Sequence, residues 1–268
     1  MSKSPRRSAW QLPKGVSAGT WDYAESESIA SEYDDYFRNH GMFALDQQVL
    51  SQYFEPGRDV IDLGCGSGRA LVPLVERGLR GVAFDLSQHM LETVRDKPEL
   101  KSAACIRGNL VDLDCFRDAS FDYAMCLFST LGMVRGSDSR SRTVEHVARI
   151  LKPDGLFVLQ VHNYWVHLFD PEGPMWMLRN FVRANTKRDV ELGDRFFNYR
   201  GIPEMYLHSF RLGEIRNLLT SHAFEIIEKI PLNARQDAKI AGSWLLSSIR
   251  ASGWIFIARK KGSKQATG

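Results

Sequence analysis

The sequence predicts an α/β fold built on a mostly parallel sheet, and three observations predict it. Residues 60–63 (VIDL) are a short, partly β-branched apolar run that passes straight into a glycine-rich turn, and residues 70–75 continue with helix-compatible spacing. Similar short apolar runs recur at 80–85, 103–107, 119–128 and 156–161, separated by helix-compatible segments, which is the alternation of strands that cross over through helices. The last of them follows Lys152-Pro153-Asp154-Gly155, a turn with proline and glycine where turn geometry wants them. With 268 residues and 44% apolar content, the chain suits one such domain carrying insertions.

The turn after residue 63 reads Gly64-Cys65-Gly66-Ser67-Gly68-Arg69. Glycines at alternate positions let the backbone approach a ligand closely, and a strand, turn and helix in this order suit a nucleotide-like one. The dinucleotide fingerprint requires a third glycine where Arg69 stands. What the chain has instead is Asp62, two places before the turn, followed by GxGxG. Residues 60–161 thereby resemble the class I S-adenosylmethionine-dependent methyltransferases, and the LKPDG turn at 151–155 adds to the resemblance.

That resemblance implies a Rossmann-like, seven-stranded, mostly parallel sheet with an antiparallel last strand and helices on both faces. Residues 224–230 and 254–258 then supply the sixth and seventh strands. It also implies S-adenosylmethionine as the cofactor, held by Asp62, Gly64, Cys65 and Gly66. Asp85 closes the second strand, and its carboxylate can accept two hydroxyl hydrogen bonds; the family's matching acid holds the ribose. An acid at a similar distance does the same in NAD enzymes, so an oxidoreductase stays as an alternative that Arg69 disfavours. By the same resemblance Leu86 belongs to the cofactor site and Met90 lies near the adenine, Ser87 reads as a helix cap, and Asn109 and Leu110 border the adenine amino group, with an asparagine carbonyl where the family usually has an acid. Leu127 ends the fourth strand. There, Leu127-Phe128-Ser129-Thr130 lacks the Asn/Asp-Pro-Pro-aromatic ending of enzymes that methylate the amines of bases.

Those residues point to a small-molecule methyl acceptor rather than a nucleic acid. Charge agrees. Lys3, Arg6, Arg7 and Lys14 lie in residues 1–20 and Arg259, Lys260, Lys261 and Lys264 in 259–268, both without an acid, so a chain of net charge +3 has a net acidic body. Transfer to tRNA assisted by these basic ends is the runner-up. Both ends are expected to be disordered, leaving residues 21–258 as a single domain. No apolar run approaches the ~18 residues of a membrane span and the N-terminus is polar, so the expectation is a soluble, cytoplasmic enzyme without a membrane partner. Cys65, Cys105, Cys115 and Cys126 lack paired metal spacing, and no metal site is expected.

Three further segments are expected to shape the site. Residues 21–54 contain two plausible helices whose aromatics pack on the sheet, with Tyr23 or Tyr33 in reach of the cofactor. Residues 162–208 form an aromatic-rich, lid-like insertion after the fifth strand, where open α/β sheets bind ligands. Residues 231–253 are too long for a hairpin loop and suggest a helix near 244–249. An in-line transfer depends mainly on positioning, and a base is useful only where the nucleophile loses a proton. His162, at the carboxyl end of the fifth strand, is the catalytic candidate, ahead of Tyr164 and His208.

Overall fold

The computed structural model describes residues 8–38, 41–240 and 247–262. Seven strands form the central sheet: β1 (Asp59–Leu63), β2 (Arg80–Asp85), β3 (Ala104–Arg107), β4 (Phe121–Cys126), β5 (Leu151–His162), β8 (Phe224–Leu232) and β9 (Gly253–Lys260). β6 (Asp194–Tyr199) and β7 (Ile202–His208) pair separately as an antiparallel hairpin. The sheet order is β3-β2-β1-β4-β5-β9-β8. β1 to β5 are mutually parallel, while β9 is antiparallel to both β5 and β8. This is the expected Rossmann-like sheet. Its order reverses between β1 and β4, so the loops leaving those two strands diverge and open a crevice.

β1 and β9 are almost wholly buried, as strands covered on both faces must be. One core packs α8 (Ser137–Ile150) and α10 (Leu212–Ser221) through Val144, Val147, Ile215 and Leu219. The other packs α4 (Met42–Tyr53), α5 (Val72–Glu76) and α6 (Gln88–Asp96) through Leu50, Leu74, Leu91 and Val94. The LKPDG turn appears as an interruption inside β5. Asp154 takes φ +62°, and pairing with β4 jumps from Leu151↔Phe121 to Leu156↔Tyr123.

Several expectations need correction. Residues 18–20 are not a disordered tail: they open α1 (Ala18–Ala24), capped by Ser17, whose Oγ accepts from Thr20 N at 3.1 Å. The hairpin fixes this helix, since a Cβ on Gly19 would lie 2.3 Å from the Glu204 carbonyl oxygen. At the other end, Arg259 and Lys260 belong to β9, paired with Glu225 and Phe224. The segment read as two helices holds four, α1, α2 (Glu27–Ser31), α3 (Tyr33–Tyr36) and α4. Of the helix expected near 244–249, residues 244–246 lie outside the described residues and α11 (Ser247–Arg250) accounts for the rest. At the start of α10 Glu214 Oε2 accepts from Arg211 N, while the Ser209 hydroxyl meets His167 Nε2 at 3.3 Å.

The insertion divides into two parts with different roles. Residues 164–186, a 3₁₀ turn followed by α9 (Gly173–Thr186), pack on the outside of the molecule. The hairpin turns inward and is tied to α8 and α10 by a buried charged network. His208 donates between Asp194 Oδ1 at 2.9 Å and Glu214 Oε1 at 2.7 Å, Tyr206 OH donates to Asp194 Oδ1 at 2.6 Å, and Arg140 pairs with Glu191. Each carboxylate in it therefore already faces a cation or a donor, which is what burial of charge requires.

Candidate active site

All eleven residues singled out as binding or catalytic line one cavity of about 780 Å³: Asp62, Gly64, Cys65, Gly66, Asp85, Leu86, Met90, Asn109, Leu110, Leu127 and His162. Tyr23 and Tyr33 line it too, whereas Tyr164 and His208 do not. The sheet's carboxyl ends form its floor. α1 and α3 supply one wall, Phe197, Tyr199 and Met205 of the hairpin a second, and Ala234 to Asp237 a third.

The glycine turn is built by its neighbours. Phe84 O accepts from both Gly64 N at 2.7 Å and Cys65 N at 3.2 Å, pulling the turn onto the end of β2. Gly64 sits at φ +75°, and a Cβ there would stand 2.3 Å from Cγ2 of Thr130, the first residue of α7 (Thr130–Met133), so only glycine fits. Gly66, at φ +52°, borders the cavity beneath Tyr33, whose ring would lie 3.6 Å from an added Cβ. Asp85 joins the two loops, because its Oδ2 accepts from Gly66 N and its Oδ1 from Ser87 N, each at 2.8 Å. Each oxygen keeps a lone pair for a ligand hydroxyl. Ser87 caps α6 as expected, accepting from Met90 N at 3.3 Å.

The acid cluster tests whether S-adenosylmethionine fits. Burial, then repulsion from Asp85 and Asp46, pushes the Asp62 carboxyl up to about 8. Burial likewise raises Asp85, against the amides that hold it. Asp46, behind the floor, is pushed up to about 7 by burial, and neither of its oxygens has a partner among the described residues. Among the described residues no basic side chain is paired with any of these three acids. A ligand bringing an ammonium, a sulfonium and a ribose diol supplies both the missing cation and the missing hydroxyl donors, so the residues fit the group. Asn109 is less free than the sequence suggested. Its Nδ2 donates to Lys14 O at 2.8 Å and its Oδ1 accepts from Val111 N at 3.2 Å, which leaves one lone pair.

Sequence reasoning missed the latch that holds the N-terminal wall. Asp34 of α3 takes Lys97 Nζ at 2.6 Å, Arg69 at 3.2 Å and Ser67 Oγ at 2.5 Å. Arg69 also donates to Phe37 O at 2.9 Å and lies 3.9 Å over the Phe43 ring. Burial works against the Asp34 charge, but Lys97, Ser67 and Arg69 outweigh it and lower its pKa. The arginine that breaks the dinucleotide fingerprint thus clamps the helices that roof the site.

Gln160 and Gln236 were also missed. Phe128 N–H donates to Gln160 Oε1 at 2.8 Å, Gln160 Nε2 to Gln236 Oε1 at 3.5 Å, and Gln236 Nε2 to His162 Nδ1 at 3.0 Å. A backbone N–H can only donate, which fixes both amides and leaves the ring proton of His162 on Nε2. Burial, then His167, lowers the imidazole to about 4, so it is neutral at physiological pH. Phe128 and Ser129 sustain this geometry at φ +54° and +58°, a left-handed pair that costs non-glycine residues about 1–3 kcal/mol each.

Comparison with known proteins agrees with this architecture. Residues 61–159 match the model of the methyltransferase domain family. A solved S-adenosylmethionine-dependent methyltransferase from Methanosarcina mazei superposes with a TM-score of 0.63 at 25% identity, over 80% of this chain and 97% of that one. An uncharacterised protein of Methanocaldococcus jannaschii is 26% identical over 60% of this chain and 57% of its own length. The cypemycin N-terminal methyltransferase of a Streptomyces species is 32% identical over 37% and 40%. The chain spans about half the length of the curated relatives it matches. The domain match, the shared fold and the glycine turn with its acids show a methyltransferase domain over residues 61–159, set in the fold of the S-adenosylmethionine-dependent methyltransferases.

Proposed function

We propose that the protein transfers a methyl group from S-adenosylmethionine to a small-molecule acceptor bound between the N-terminal helices, the β6–β7 hairpin and residues 234–237. The observation that carries this reading is the deep, largely apolar cleft in which the whole predicted cofactor constellation meets. Its volume of about 780 Å³ is in the range of sites for cofactors and small ligands. Two of its lining side chains are basic, Arg69 and Arg235, against the acids Asp62, Asp85 and Asp237, a poor seat for a phosphate backbone. Among the described residues no helix is long and apolar enough to cross a membrane. The unpaired buried thiols of Cys65 and Cys126 suit the reducing cytoplasm.

When bound, the cofactor supplies a methyl group on a sulfonium, open to in-line displacement by the acceptor's nucleophile. Asp85 would hold its ribose hydroxyls, Gly66 would give the backbone room to approach, Met90 and Leu110 would contact the adenine, and Asp62 would balance its cationic end. His162, with its proton on Nε2, donates a hydrogen bond to the acceptor and orients it, in place of the proton removal that the sequence suggested.

Calorimetric titration with S-adenosylhomocysteine tests the reading. Micromolar binding is expected, and Asp85→Asn should weaken it roughly ten- to hundredfold, as the loss of about 1.5–3 kcal/mol per charged hydrogen bond implies. Binding of NAD without S-adenosylhomocysteine overturns it.

A further inference from the structure

The outward half of the insertion carries a surface that the active site does not use. Leu168, Phe169, Met175, Leu178, Phe181 and Val182 are between 43 and 61% exposed, and they follow one another along the 3₁₀ turn and α9. No residue from 164 to 188 lines the cavity. Isolated exposed apolar residues are ordinary, whereas a contiguous set marks a surface meant to be covered.

α9 is firmly seated on its inner side, which makes the exposure a fixed feature of the surface. Gly173, Met177 and Asn180 are buried. Asn180 Nδ2 donates to Asp194 O at 3.1 Å, and its Oδ1 accepts from Gly193 N at 2.8 Å. A Cβ on Gly173 would lie 1.5 Å from His167 O, so the start of the helix is pressed onto the turn before it.

At about 100° per residue, the exposed apolar positions of α9 occupy an arc of roughly 120°, and Arg179 and Arg183 fall within about the next 80°. Lys187 and Arg188 follow the helix. α9 itself contains no acid. The nearest acids in sequence are Asp170 and Glu172 before its first turn, the former engaged by His167 and the latter at the cap position, and Asp189 beyond its end, which pairs with Arg135. An apolar sector bordered by basic residues is the layout of a helix lying in the interface of an anionic bilayer: side chains enter the acyl boundary while arginines meet the phosphates. A second copy of the chain is disfavoured as the occupant, because a two-fold contact through α9 sets its arginines against their equivalents with no acid on the helix to receive them.

We propose that the apolar and basic face of α9, with Leu168 and Phe169, docks the protein on the surface of anionic membranes. This is an association in the plane of the interface and needs no spanning segment. It rests on the surface alone and stands whether or not the cavity binds S-adenosylmethionine.

Co-sedimentation of the full chain with phosphatidylcholine vesicles, with and without about 30% phosphatidylserine, tests it. The expected result is binding to the anionic vesicles that weakens as salt rises. Leu178→Ser with Phe181→Ser, and separately Arg179→Glu with Arg183→Glu, should each lower that binding at least tenfold, while circular dichroism and S-adenosylhomocysteine affinity stay as in the parent protein. No binding to the anionic vesicles, or binding that the charge reversal leaves unchanged, overturns the proposal. So does a concentration-dependent dimer in sedimentation that the serine pair dissolves, since the face would then belong to a second copy.

Discussion

At the scale of single residues, the site depends on where protons and lone pairs are placed. Asp85 is legible from sequence because it ends a strand after a glycine turn, and it does line the cavity. His162 is legible as a position; its chemistry is set by Gln236, seventy-four residues away. The chain of donors that begins at Phe128 N–H predicts that His162 is the Nε2–H tautomer. Nitrogen-15 spectra of the imidazoles in the full chain should show His162 Nδ1 unprotonated and Nε2 protonated. Gln236→Glu replaces the donor with an acceptor and should move the proton to Nδ1 or charge the ring. An Nδ1–H signal in the parent protein returns His162 to the role of a base.

At the scale of elements, the strands and the helices between them follow from their own apolar patterns, so their order was readable. The packing of the insertion was not, because residues 164–208 carry aromatics on both of its halves and the pattern does not say which half faces the site. The buried network made that choice. Burial opposes charge on His208, but its hydrogen bonds to Asp194 and Glu214 outweigh this and raise its pKa. For Asp194 burial is again the adverse effect, and His208 and Tyr206 outweigh it to lower the pKa. The stability from His208 is complete below its ordinary value, about 6.5, and lost as pH rises through the raised folded one; that from Asp194 is complete above about 4 and lost as pH falls through the lowered one. The hairpin is therefore held best between about pH 4 and 6.5. Urea unfolding at pH 6 and pH 9 should show the parent protein losing stability at the higher pH and His208→Gln losing less. Equal losses in the two proteins would remove His208 from this account.

At the scale of the molecule, the cavity is walled by the N-terminal helices, the insertion and residues 234–237, so a ligand there bridges segments far apart in the chain. Saturation with S-adenosylhomocysteine at a hundred times its Kd should add about 2.7 kcal/mol. For a domain of this size that raises the melting temperature by roughly 5–10 °C in calorimetry. An unchanged transition at that concentration means that the cavity does not hold this ligand.

The sequence by itself determined the sheet, its glycine turn and the acid that follows it, since these rest on local spacing: a buried strand must be apolar, a tight turn that brings the backbone close to a ligand takes glycine, and strands linked through helices run parallel. Only the tertiary structure decided what encloses the site. Asp34 meeting Arg69, Gln236 meeting His162, and α9 turning outward while the hairpin turns inward are contacts between residues tens to scores of positions apart. No local pattern records them, because they are fixed by which buried charges and amides find partners once the chain has folded.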